Sequence, residues 1–192
     1  EITCIVAESG VTKVSVPASI EHEGLAYKVT SLRFSGGTTA EDVEQLLLPD
    51  TLEKLSGWNF SKFVKVKELR IPGSIKNFSC TLQNADALEK LIFDEGVEEI
   101  SANSMVNGCA SLSEINLPST LKLISGTGAF SGAESLKSIT LPEGVVIDDS
   151  VGSLLRDCTS LTSVSLPASV TKISSYMFGG CTSLKSVFAA GA

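Results

Sequence analysis

Residues 161–184 read LTSVSLPASVTKISSYMFGGCTSL, with apolar side chains at Leu161, Val164 and Leu166, then Pro167, Val170, Phe178 and Cys181. This spacing recurs along almost the whole chain. Counting back from Leu184 and Leu161, equivalent anchors are Leu136, Leu112, Leu88, Val66, Val43 and Val11; successive intervals are 23, 25, 24, 24, 22, 23 and 32 residues. Three residues after the anchors stand Val14, Leu46, Leu69, Leu91, Ile115, Ile139 and Val164, and two further on Val16, Leu48, Ile71, Phe93, Leu117, Leu141 and Leu166. All six prolines fill the next slot, at 17, 49, 72, 118, 142 and 167, with Asp94 taking it in the remaining unit. A fixed period of this length decides the architecture before any single residue is read.

Alternating apolar residues form a short strand, and a proline, which has no N–H to give a sheet ladder, ends it and turns the chain. Three residues past the turn, Ile20, Leu52, Ile75, Val97, Leu121, Val145 and Val170 are expected to point inward from the opposite wall. So are Phe60, Leu82, Val106, Phe130, Leu155 and Phe178, six before the next anchor. Three before it, Phe63, Ala85, Cys109, Ala133, Cys158 and Cys181 are mostly small, suited to a second tight corner. One such coil cannot bury its own apolar side, whereas a stack can, with parallel strands about 4.8 Å apart, so that seven units span roughly 34 Å. Prolines, glycines and serines interrupt the return segments and leave no room for long helices.

The repeat, L-x-x-I-x-L-P-x-x-L-x-x-I followed by F-x-x-C-x-S-L, resembles the BspA-like class of leucine-rich repeats of about 23 residues. The resemblance implies a β-dominated leucine-rich-repeat solenoid, a right-handed superhelix with a parallel β-sheet on one face and turns, short strands or short helices on the other. Residues 1–192 are read as one solenoid domain, 1–42 being an N-terminal cap-like unit and 43–192 the repeats. The long first interval, IEHEGLAYKVTSL from Ile20 to Leu32, is similar to the hairpin insertion at the start of such arrays, with Gly24 in its turn. Three departures stand out: Asp94 for proline, Asp148 where isoleucine is expected, and a unit from Val66 without the Phe-x-x-Cys ending. Proteins of this class are typically secreted or surface proteins of bacteria and protists, implicated in adhesion, which implies an extracellular or cell-surface module binding a protein or glycan, host matrix among them. A ligand-free spacer or scaffold presenting another domain is the alternative.

Composition adds exclusions. Net charge is −7 over 192 residues, with the basic residues scattered, so nucleic acid is not an expected partner. No apolar run reaches the roughly 18–20 residues of a membrane-spanning helix. The sequence opens at Glu1 without Met or a signal profile, which reads as a processed or trimmed start, and SVFAAGA at the other end begins a strand without a proline or return.

Catalytic chemistry finds no foothold. His22 is the one histidine, so a triad or multi-histidine metal site cannot be assembled, and neither an enzyme nor a cofactor is expected. Five cysteines, at 4, 80, 109, 158 and 181, contain no C-x-x-C, and three share one repeat phase as small fillers. Cys158 and Cys181 lie in adjacent coils, near enough for a disulfide; free thiols are favoured because the resembled class packs this position in the core. The glycine-rich run SGTGAFSGA at 125–133 lacks phosphate-loop spacing and reads as a corner. Asp148, Asp149 and Asp157 follow no calcium-ligand pattern. Each of the sequons at Asn59 and Asn77 includes an inward phenylalanine.

What remains is the outward face of the strands, since side chains alternate across a pleated strand. One ladder runs Lys13, Gln45, Glu68, Lys90, Glu114, Ser138, Ser163 and Ser186; the other runs Ser15, Leu47, Arg70, Ile92, Asn116, Thr140, Ser165 and Phe188. Opposite charges at Glu68, Lys90 and Glu114 are read as neighbours that neutralise one another. Leu47 and Ile92 are apolar where stacking does not require it, and with Arg70 they form the mixture that binding hot spots favour. The candidate contact is therefore Gln45, Leu47, Glu68, Arg70, Lys90, Ile92, Glu114 and Asn116, with the Ser/Thr-rich half contributing little.

Overall fold

The computed structural model describes residues 10–33, 40–56, 60–148 and 151–189. In chain order the strands are β1 (Lys13–Ser15), β2 (Ser19–His22), β3 (Leu25–Lys28), β4 (Ser31–Arg33), β5 (Gln45–Leu47), β6 (Lys54–Ser56), β7 (Glu68–Ile71) and β8 (Asn77–Phe78). There follow β9 (Lys90–Phe93), β10 (Glu99–Ile100), β11 (Glu114–Asn116), β12 (Leu123–Ile124), β13 (Ser138–Thr140), β14 (Val146–Ile147), β15 (Ser163–Leu166) and β16 (Ser186–Ala189). One 3₁₀ turn, Phe60–Lys62, is the only helical element among the described residues. The molecule is a β-solenoid whose successive coils stack in parallel register.

Each coil is a chain of three-residue turns. The carbonyl after each strand accepts from the inward residue three positions on: Leu52 N–H to Pro49 at 3.0 Å, Ile75 to Pro72 at 3.0 Å, Leu121 to Pro118 at 3.2 Å and Val170 to Pro167 at 3.0 Å. The slot suits proline because it needs a carbonyl and, in most coils, no N–H. Asp94 accepts from Val97 at 3.2 Å in the same way, and its own N–H donates to Ile71 at 3.0 Å, so aspartate keeps the corner. At the second corner the small residue closes on the next anchor: Leu112 N–H donates to Cys109 at 3.1 Å and Leu161 to Cys158 at 3.0 Å.

Two columns of left-handed residues repeat with the same period. Ser104, Gly128, Ser153 and Tyr176 form one; Asn84, Gly108, Gly132, Asp157 and Gly180 form the other. In the second the coils pack so closely that a Cβ on Gly108 would overlap the Asn84 amide, and one on Gly180 the Asp157 carboxylate. Glycine relieves both the backbone cost and the overlap.

The core runs unbroken from Val16 to Met177, with Leu69, Leu91, Leu112, Leu136 and Leu161 fully buried. Hydroxyls and thiols stitch neighbouring coils. Two residues past the proline, the hydroxyls of Thr51, Ser74, Thr120 and Ser169 donate to the carbonyls of Val29, Leu52, Val97 and Val145 one coil back. The thiols of Cys109, Cys158 and Cys181 donate to Leu82, Phe130 and Leu155 at 3.2, 3.2 and 3.0 Å. All four described cysteines are free thiols, Cys4 lying outside the described residues.

Several expectations need correction. Ile20 is not interior: it is 40% exposed and pairs with Tyr27 in the β2–β3 hairpin, while the chain re-enters the coil at Val29, 4% exposed, and Leu32, 0%. The insertion is thus 19–28, closed by the Val29 N–H bond to Ala18 at 2.8 Å, with its turn at Glu23 and Gly24, both at positive φ. Leu117 is half-buried rather than fully inward. At Asp148 the ladder slips by one residue and sets Ile147 opposite Ile124. The front sheet is not continuous: its strands form three ladders, β1–β5, β7–β9–β11 and β13–β15–β16. A second wall carries short parallel strands of its own, β4–β6 and β8–β10–β12–β14.

Candidate functional site: the outward front face

The registers place the predicted residues as the alternation requires. Glu68, Lys90 and Glu114 are Cα partners across β7, β9 and β11, and so are Arg70, Ile92 and Asn116. Gln45 and Leu47 lie on β5, opposite Lys13 and Ser15, and are separated from β7 by the break in the ladder. Six candidates therefore share one three-stranded sheet and two stand across a seam from it.

Charge is distributed unevenly along this row. Lys90 Nζ lies 2.9 Å from Glu114, which holds that carboxyl below its usual range, while Glu68 forms no ion pair among the described residues. Arg70 Nε donates to Asp94 Oδ2 at 2.7 Å, so the aspartate that replaces proline also orients the guanidinium. Exposed pairs of this kind each contribute only about 0.2–1 kcal/mol, so they shape the surface more than they stabilise it. Leu47 is 46% exposed, as the pattern requires of a residue facing out. Ile92 is half-buried between Arg70 and Asn116, so it offers less apolar area than its outward position suggests.

The seam opens a cleft of about 970 Å³, lined by Gln45, Leu47, Glu68 and Arg70 and also by Glu44, Val64, Lys65 and Lys67. These last four were missed because they precede their strands, outside the two alternating positions. The exposed valine directly after Phe63 was the available signal, being 49% exposed in a corner that otherwise carries small or polar residues. A second cleft, of about 710 Å³, lies over β11 and β13, the other break in the front sheet. Both clefts lie at breaks in the front ladder, and a smaller one of about 540 Å³ lies beside the paired strands β7 and β9.

Elsewhere the side chains suit packing rather than reaction. His22 is on the exposed hairpin. Burial pushes the thiols of Cys80 and Cys109 up to about 11 and that of Cys158 up to about 12, the reverse of an activated nucleophile. Among the described residues no group of three or more His, Cys, Asp or Glu is placed to hold a metal ion. Nor is any helix among them long and apolar enough to cross a membrane.

Comparison with solved structures gives the same architecture. A leucine-rich cell surface protein from Faecalibacterium prausnitzii is similar over 95% of this chain and 60% of its own, at 20% identity and a TM-score of 0.60. A leucine-rich repeat protein from Bacteroides ovatus is similar over 97% of this chain and 66% of its own, at 15% identity and a TM-score of 0.53. The pneumococcal vaccine antigen PcpA is similar over 98% of this chain and 80% of its own, at 15% identity and a TM-score of 0.61. The chain thus spans less than two thirds of the first two structures. No curated protein matches it by sequence. The BspA type leucine-rich repeat region matches in six copies, over residues 9–127 and 107–191. With the phase and inward positions recurring coil after coil and proline in all corners but that of Asp94, the chain belongs to the BspA-type leucine-rich-repeat family.

Proposed function

We propose that this chain is a non-enzymatic, extracellular or cell-surface binding module that presents the outward front face to a protein or glycan, host matrix components among the candidates. Residues 1–192 act in this reading as one solenoid domain, with 1–42 as its N-terminal cap-like unit. The contact is placed on Gln45, Leu47, Glu68, Arg70, Lys90, Ile92, Glu114 and Asn116. The single observation that carries it is the cleft of about 970 Å³ bordered by four of these residues, with Leu47 46% exposed. An apolar group held open to water in a concave site beside a guanidinium is a feature that packing does not require and that partner binding uses. Surface location is supported by the family and by the name of the Faecalibacterium protein, which is called a cell surface protein.

A pull-down of the folded protein against a panel of matrix proteins, glycans and mucins tests the reading. Capture of a panel member, lost when Leu47 and Arg70 are replaced, is the expected result. Capture of none would favour a spacer that holds another segment away from a surface.

A further inference from the structure

The cleft over the seam has a chemical character of its own. Its three cations are each tied to a carboxylate that does not line it: Lys65 to Asp42 at 2.9 Å, Lys67 to Glu89 at 2.8 Å and Arg70 to Asp94 at 2.7 Å. Two carboxylates that do line it, Glu44 and Glu68, have no ion-pair partner among the described residues; Lys90, the register neighbour of Glu68, is bonded to Glu114. Five carboxylates therefore surround three cations, and the two that make no ion pair at contact distance among the described residues, Glu44 near Lys65 and Glu68 near Arg70, line the cleft. Beside it stand Leu47 and Val64, 46% and 49% exposed.

The seam itself keeps this site open. Among the described residues neither β5 with β7 nor β6 with β8 is paired, so the front and back ladders lapse at the same coil boundary. At the other front break, β11/β13, the back wall is intact through β12 and β14. Side chains bridge the seam, through the Ser74 hydroxyl to Leu52 and the Cys80 thiol to Leu55 at 3.2 Å. The cleft thus combines three cations held by carboxylates outside it, two carboxylates without an ion pair and two exposed aliphatic side chains.

We propose that it receives a cationic, apolar segment of a partner protein, with an aliphatic or aromatic side chain resting on Leu47 and Val64 and a lysine or arginine beside Glu44 and Glu68. This rests on the reading of the chain as a binding module. Complementarity sets the choice: with the lining cations already held by Asp42, Glu89 and Asp94, an anionic segment would meet Glu44 and Glu68 without a free cation to receive it, and a polar one would leave the two aliphatic side chains in water.

The test uses the folded protein and a short dye-labelled peptide alternating leucine and arginine, read by fluorescence anisotropy. Peptides alternating leucine with glutamate and serine with arginine are the comparators. Tighter binding of the leucine/arginine peptide than of either comparator, weakened by added salt, is expected. The double variant Glu44→Gln/Glu68→Gln should bind it about five- to tenfold more weakly. Leu47→Ser/Val64→Ser should do likewise, and Ser163→Ala should bind as the parent does; thermal melts verify that each variant is folded. Equal binding of the glutamate peptide, no binding of any peptide, or indifference to both double variants would overturn the assignment. The two readings fail separately: a panel member captured through Ile92 and Asn116 and not displaced by the leucine/arginine peptide refutes the cleft's preference and leaves the binding module standing. Peptide binding in the cleft with no panel member captured does the reverse.

Discussion

Truncating Leu141 to alanine should unfold the protein at a markedly lower temperature than truncating Leu117 or Leu25, although all three residues are leucines. Leu141 is 3% exposed and follows β13, where its N–H donates to Ser165 at 3.2 Å and ties it to the β15 coil, which therefore resists collapse into the space left. Removing its three terminal carbons forfeits about 0.8 kcal/mol per methylene in transfer, and the residual cavity raises the total to about 2–5 kcal/mol. A chain of this size loses about 2–4 °C in Tm per kcal/mol, so a fall of roughly 5–15 °C is expected. Leu117 occupies the same repeat position one coil earlier but is half-buried beside the break between β11 and β13; Leu117→Ala should cost about half as much. Leu25, 60% exposed on the hairpin, should cost under about 0.5 kcal/mol. Differential scanning calorimetry of the three variants gives the ranking directly. Equal shifts, or a larger one for Leu117→Ala than for Leu141→Ala, would refute the assignment of inward positions and the claim that the front sheet opens at β11/β13.

Native-state hydrogen exchange should find the amides of β5 and β6 exchanging through a lower-energy opening than those of β9 and β10, because both ladders lapse at the β5/β7 boundary; uniform protection would contradict this. The contribution of the buried thiols to stability should be level below about pH 8 and fall as pH rises through 9 toward 11–12. The thiols of Cys109 and Cys158, raised by burial from an ordinary 9.0 to about 11 and about 12, stay protonated in the fold while the unfolded chain releases its protons. Urea midpoints for the parent and a Cys109→Ala/Cys158→Ala variant should therefore diverge less at high pH than at neutral pH. Gly108→Ala should cost about 1–2 kcal/mol in the same urea titration, since φ is +77° there and the new methyl meets the Asn84 amide; a neutral effect would show that the corner relaxes.

Most of the fold was legible because one physical requirement is repeated. Val164, Ile139, Ile115 and Leu91 share a phase, and a coil that buries one of them must bury the next. Ile20 is misplaced by the count because the hairpin at 19–28 lengthens the unit by nine residues just after the proline turn; counting from Pro17 then lands on a hairpin strand, whereas Val29 takes the same inward position. The hydroxyl column at Thr51, Ser74, Thr120 and Ser169 was present in the sequence two residues after each proline, yet its role depends on the carbonyl one coil below, which no single unit displays. The breaks at β5/β7 and β11/β13 were not legible at all. Their flanking units are 23 and 24 residues long like their paired neighbours, so whether strands stay within hydrogen-bonding distance depends on the accumulated fit of whole coils. For the same reason the front ladders set Leu47 and Arg70 on the outward face, where they line the cleft, while Val64, Lys65 and Lys67, which line it with them, lie in a corner to which the strand pattern does not extend.

The claim that the N-terminal half of the front face is the contact surface is tested most directly by the affinity of a captured partner for four variants, each verified as folded. Leu47→Ser, Arg70→Ala and Ile92→Ser should weaken binding, Leu47→Ser and Arg70→Ala more than Ile92→Ser because Ile92 is half-buried, while Ser163→Ala leaves it unchanged. Unchanged affinity in the first three, or a loss confined to Ser163→Ala, would place the contact on another part of the molecule.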